Sequence, residues 1–97
     1  MHKPIHPGEV LNEEFLLPNG LSIEQLASRL HVSAAEVSSI INGRRAIEAE
    51  FALRLSRFFG TSAEFWLNLQ QTYELQLTKQ SMGLKALSMI RPLTRDD

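Results

Sequence analysis

Along this chain apolar side chains recur at spacings of three and four, in runs separated by glycine, proline and asparagine, a pattern that predicts a succession of amphipathic helices. Two of them lie close together between Leu21 and Arg45. Leu26, Ala27 and Leu30 form the apolar stripe of the first, and Val37, Ile40 and Ile41 that of the second. Ser22 stands three residues before Gln25 and Ser33 three before Glu36, so each helix opens with a capping-box pattern that satisfies its own first amide donors. His31 and Val32 are left for the turn. Histidine tolerates the left-handed backbone of such a turn better than most non-glycine residues, and Val32 supplies an apolar plug. Helix, tight turn, helix and a basic corner within twenty-five residues is the layout of a helix-turn-helix DNA-binding unit.

The flanks complete an all-α domain. Pro4 and Pro7 keep the first residues extended, Pro7-Gly8-Glu9 opens a helix to about Leu17 with Leu11, Phe15 and Leu16 inward, and Pro18-Asn19-Gly20 ends it. After the Asn42-Gly43 turn, Ile47 anchors a connection to a fourth helix, about Glu48 to Phe59. Ala52, Leu55, Phe58 and Phe59 pack its core side, Glu48 is a poor cap, and Gly60 ends it. Thr61 with Glu64 makes a third capping-box pattern, opening a fifth helix from about Ala63 to Thr78. Its stripe of Phe65, Trp66, Leu69, Tyr73 and Leu77 is longer than a four-helix core needs. Trp66 is expected to seal that core; Tyr73 and Leu77 are free to meet a partner, unless the stripe only closes its own core. Gly83 interrupts, Leu84 to Ile90 can form a short sixth helix whose Leu84 and Leu87 join Tyr73 and Leu77 as candidate dimer or partner contacts, and Thr94 to Asp97 should fray. The expected organisation is one domain over residues 1–97, with a core of about 7–79 and an extension over 80–97.

Composition narrows the chemistry. Ninety-seven residues with 43% apolar and 22% charged side chains suit one folded domain, and the absence of cysteine removes disulfides, thiolate chemistry and common zinc frameworks. With no signal-like opening and no apolar run of about 18 residues, the reading is a soluble, cytoplasmic protein that does not enter a membrane. His2 and His6 are four apart, but Pro4 breaks any helix between them and no third ligand is near, so no metal or other cofactor is expected. No nucleophile elbow or glycine-rich phosphate loop occurs, and the adjacent Glu13 and Glu14 point about 100 degrees apart on a helix. Neither an enzyme nor a small-molecule site is expected.

The net charge is −1, and within residues 22–45 three arginines face two glutamates, a local balance of +1, so any DNA footprint is electrostatically modest. In a recognition helix Ser33, Ala34, Ala35, Ser38, Ser39 and Asn42 are the positions able to reach base edges, with Ser22 at the opening of the preceding helix. They offer hydroxyls, methyls and one amide, which read sequence weakly and leave a share to DNA shape. Arg44 and Arg45, at the corner after this helix, are expected to meet phosphates or reach toward the minor groove; the plainer reading makes them solvated loop charges. Glu36 is expected to fold back on Ser33 rather than face DNA.

The segments His6-Pro7-Gly8-Glu9, Leu21-Ser22, Leu26-Ala27, Val32-Ser33, Asn42 to Ile47, Ala52 to Leu55, Gly60 to Ser62 and Glu64 to Gln70 resemble the HigA (VapI-like) antitoxins of the Xre/Cro helix-turn-helix type, over roughly residues 6–77. The resemblance implies a lambda-repressor-like fold of five helices, with room for a sixth, and a homodimer. It further implies double-stranded operator DNA bound to repress the antitoxin's own operon, and a HigB-type, RelE-like toxin that cuts mRNA on the ribosome. This chain departs from the family at Ile23, where glutamine is frequent, and at Ala34 and Ser39, where polar or basic residues are common. An arginine on guanine contributes about 1 to 3 kcal/mol of discrimination, so sequence readout should be weaker here. The alternatives are a toxin-neutralising interaction module with weak or lost DNA binding, and a free-standing Cro-like regulator.

Overall fold

The computed structural model describes residues 3–94. These are helical almost throughout, with no strand among the described residues: α1 (Pro7–Val10), a π-helical segment (Leu11–Leu16), α2 (Leu17–Asn19), α3 (Ile23–Leu30), α4 (Ala34–Ile41), α5 (Ala49–Phe59) and α6 (Ala63–Ser88). The first three form one continuous rod. His6 caps it, its Nδ1 accepting from the Gly8 amide at 2.9 Å, and Pro7 occupies the first turn, where its missing N–H costs nothing.

Pro18-Asn19-Gly20 ends this rod as expected, but the helix continues through Pro18 to Asn19, past the expected end at about Leu17. In an α-helix the Pro18 ring would crowd the Glu14 carbonyl; the turn before it instead widens, with Leu17 N–H donating to Asn12 O five residues back. The widening also explains why both Leu11 and Leu16 are fully buried. Five residues apart, they would diverge by about 140° at 100° per residue in an α-helix. Gly20, in the left-handed region at φ 63°, makes the actual stop.

The two motif helices form as the caps predict. Ser22 and Gln25 exchange both bonds of a capping box, at 3.0 and 2.9 Å. Ser33 Oγ accepts from the Glu36 amide at 3.0 Å, but the Glu36 carboxylate makes no return bond, so the capping box is half formed and the expected fold-back of the Glu36 side chain is not made. His31 takes the left-handed turn position at φ 58°, and Val32 packs on the core. Arg54 of α5 closes the end of α3, donating from Nη1 to Leu30 O at 2.7 Å, while its Nη2 pairs with Glu50 at 3.0 Å.

One apolar cluster joins these helices: Leu11, Leu16, Leu26, Ala27, Leu30, Val37, Ile40, Ile47, Phe51, Ala52, Leu55 and Trp66. Trp66 is sealed in as expected, its indole N–H donating to Thr61 Oγ1 at 2.8 Å. That bond engages Thr61, and the cap of α6 is Ser62 instead, whose Oγ accepts from the Phe65 amide. Phe58 stays at the surface, because Phe59 and Trp66 already stack on Phe15 with ring centroids 4.9 Å away; Phe58 lies edge-on to Phe59.

Helix α6 runs past the expected end at Thr78 to Ser88, kinked at Gly83 (φ 79°, ψ 165°), a backbone only glycine adopts freely. The expected sixth helix is thus the part of α6 beyond the kink, ending at Ser88 rather than Ile90. This arm draws the molecule out to 59 Å along its long axis, against 25 and 21 Å across. Of the chain end expected to fray, Arg95 to Asp97 lie outside the described residues, as does His2.

Candidate nucleic-acid interface

The N-terminal end of α4 and the corner following it carry the residues expected to meet DNA. Ser22 and Ser33 are exposed, each with its oxygen committed to capping. Their hydroxyl hydrogens remain available to an acceptor. Ala35 is exposed, whereas Ala34 packs partly against the core and offers less of its methyl than expected. Ser38 and Ser39 are half-buried; Ser38 Oγ accepts from Asn42 Nδ2 at 3.3 Å, so these two groups present themselves as a pair. The helix closes on Asn42, and Gly43 N–H and Arg44 N–H return to Ile40 O and Ser39 O.

Arg44 and Arg45 project from this corner, exposed and without an ion-pair partner among the described residues. Their surroundings are built by distant segments. His6 lies against Gly43, an added Cβ there being 3.8 Å from the imidazole, and meets Tyr73 of α6 edge-on with centroids 4.9 Å apart. Burial lowers the His6 pKa, opposed by hydrogen bonding with the Arg45 backbone and by the Glu74 charge. On the far side of the corner the Ile47 amide donates to Gln70 Oε1 at 2.8 Å, and Gln70 Nε2 donates to Glu74 at the same distance. Gly8 lets α1 rest directly on α4: a Cβ there would stand 1.8 Å from Ile40 O.

The arrangement carries two exposed guanidinium groups among many hydrogen-bonding groups. The starts of α3 and α4 are capped by the exposed Ser22 and Ser33, and the two guanidinium groups follow the end of α4, a combination suited to phosphate oxygens. Among the described residues no three His, Asp or Glu side chains gather where a metal could sit. The residues expected at a partner interface lie elsewhere, on α6. Leu77, Leu84 and Leu87 are exposed, Leu84 to 85%, but Tyr73 is half covered by His6 and contributes only in part.

Residues 13–66 match the helix-turn-helix family. Over 95% of its length the chain is 46% identical to Virulence-associated protein I of Dichelobacter nodosus, spanning 83% of that protein. It is 35% identical to Antitoxin HigA-1 of Vibrio cholerae over 94% of its length and 85% of the relative's. Its fold superposes with a TM-score of 0.90 on the Pseudomonas aeruginosa antitoxin HigA solved with the higBA promoter, at 44% identity over 95% of this chain and all of that one. The chain belongs to the HigA-like helix-turn-helix family.

The segments that carry the HigA resemblance thereby acquire physical roles. His6 to Glu9 cap α1 and seat it on α4, while the Trp66 to Gln70 stretch fills the core and grips the basic corner. Gln70, His6 and Arg54 are the contributors that the sequence reading did not assign. Gln70 and Arg54 each carried a faint signal: a polar residue four positions after a buried tryptophan, and an arginine four positions after a glutamate. No described helix of this HigA-like chain is long and apolar enough to cross a membrane.

Proposed function

We propose that this chain is a cytoplasmic, non-enzymatic antitoxin that binds operator DNA as a homodimer, represses its own operon and neutralises a HigB-like, mRNA-cleaving toxin. The observation that carries the DNA half is the pair of exposed arginines, Arg44 and Arg45, braced beside a recognition helix with an exposed N-terminal end. The Pseudomonas relative was solved with a promoter, which supports the same reading here. Phosphate contacts supply most of the affinity; Ala35, Ser38, Ser39 and Asn42 supply limited base readout, supplemented by DNA shape. Dimerisation follows from the same scarcity. One such helix cannot specify a site, whereas two spaced about 34 Å apart read a palindrome in successive major grooves. The exposed apolar side chains Leu77, Leu84 and Leu87 on the α6 arm suit a second copy or the toxin.

Replacing Arg44 and Arg45 together by alanine tests the assignment. Promoter affinity should fall, and the slope of log K against log salt should shrink by about 1 for each phosphate that is no longer neutralised. Unchanged affinity and slope would remove both arginines from the interface. Loss of toxin neutralisation in the same variant, with DNA binding intact, would instead favour the protein-interaction reading, to which the partly covered Ala34 and the committed Ser38 already lend support.

A further inference from the structure

We infer that Gln70 and His6 are positioning residues for the Arg44–Arg45 corner, so that DNA affinity is set in part from α6; the inference rests on the DNA-binding reading above. Residues 42–46 belong to no helix. Their near side is tied to α4 through the bonds of Gly43 and Arg44 to Ile40 O and Ser39 O. Their far side ends at Ile47, whose buried side chain gives it an anchor but not a direction, because apolar burial is non-directional. Direction comes from the 2.8 Å bond between the Ile47 amide and Gln70 Oε1, made in the buried interior where an unmet donor is most costly. Gln70 cannot easily turn away, since its other amide atom is held by Glu74 Oε2.

His6 braces the middle of the corner. It sits against Gly43 and is fixed by the Gly8 amide on one side and by the Tyr73 ring on the other. Gln70, Tyr73 and Glu74 are spaced three and four apart and therefore share one face of α6. Beyond α4 and His6, the corner is thus braced from that single helix face. The far end of the same helix carries the exposed apolar arm, so a partner that shifts α6 also shifts the two arginines.

The chain contains no cysteine, so Arg45→Cys takes one nitroxide label and reports corner mobility without DNA. In the labelled protein Gln70→Met, similar in length but unable to accept the Ile47 bond, should sharpen the spectrum; an unchanged line shape overturns the inference. Tyr73→Ala, which strips His6 of its ring partner at a half-buried site, gives the same readout if the Gln70 variant fails to fold. In unlabelled protein Gln70→Met should lower promoter affinity and reduce the salt slope by about 1. Introduced into the Arg44→Ala, Arg45→Ala background, it should cost nothing further. Equal losses in both backgrounds would show that Gln70 acts through general stability and overturn the inference. Failure of the DNA-binding reading looks different: the double arginine variant would bind like wild type while the label still responded to Gln70→Met.

Discussion

Gly8→Ala sets two physical rules against each other. By intrinsic helix propensity the change should stabilise, by up to about 1 kcal/mol relative to glycine, because alanine loses less backbone freedom. By packing it should destabilise. The added Cβ would stand 1.8 Å from Ile40 O and 2.7 Å from Ile40 C, and must reach at least 3.4 Å from that oxygen for an ordinary contact. The obstructing atoms are backbone in the last turn of α4 and cannot rotate aside, so α1 must retreat by roughly the difference, about 1.6 Å, and a gap of even 0.5 to 1 Å forfeits a quarter to a half of the attraction across it. Overpacking of this kind typically costs about 1 to 3 kcal/mol, and backbone obstruction places this site at the upper end. With the propensity gain subtracted, the net loss is about 2 kcal/mol, which for a domain near this size lowers Tm by roughly 8 to 16 °C. A circular-dichroism melt with a urea titration measures it, and an unchanged m-value would confirm that only stability moved. A Tm equal to or above wild type would refute the claim that α1 and α4 are in backbone contact at Gly8.

Three further outcomes follow from the same packing. Arg54→Met leaves the Leu30 and His31 carbonyls without their guanidinium donor and should lower stability by about 1 to 2 kcal/mol, read as a reduced urea midpoint; an unchanged midpoint would mean water replaces the arginine at no cost. His6 has its folded pKa lowered, chiefly by burial, so the folded state favours the neutral ring. Its contribution is complete above the unfolded value of 6.5 and is lost as pH falls through the lowered folded value, so Tm should decline over that window in wild type and decline less in His6→Gln; parallel curves would contradict this. Leu84→Glu with Leu87→Glu should halve the mass measured by light scattering and weaken promoter binding, whereas an unaltered dimer would place the interface away from the α6 arm.

The helix-turn-helix unit was legible because its signals are local: a serine three residues before the amide it caps, a histidine at the left-handed position between the two helices, and apolar spacings that carry into the core. Where two local signals competed, tertiary packing decided. Thr61 and Ser62 could both cap α6, and the buried Trp66 indole claims Thr61. The π segment was hinted at by two inward leucines five apart just before a proline, but a period-3.6 reading passes over that spacing. Gln70 carried only a faint signal, since its partner Ile47 lies twenty-three residues away and glutamine on a helix is ordinarily solvated. The degree of exposure of Ala34 was hidden for a related reason: a residue at the first turn of a recognition helix is more or less covered according to how the helix rolls on its neighbours, which periodicity alone does not fix.

The central claim is that the end of α4 and the Arg44–Arg45 corner form a DNA-binding surface. A fluorescence-anisotropy titration of the wild-type protein against its own upstream promoter duplex and a shuffled duplex, at two salt concentrations, tests it most directly. The promoter should bind more tightly than the shuffled duplex, with affinity for both falling steeply as salt rises. Weak binding that is alike for both duplexes and insensitive to salt would contradict the claim.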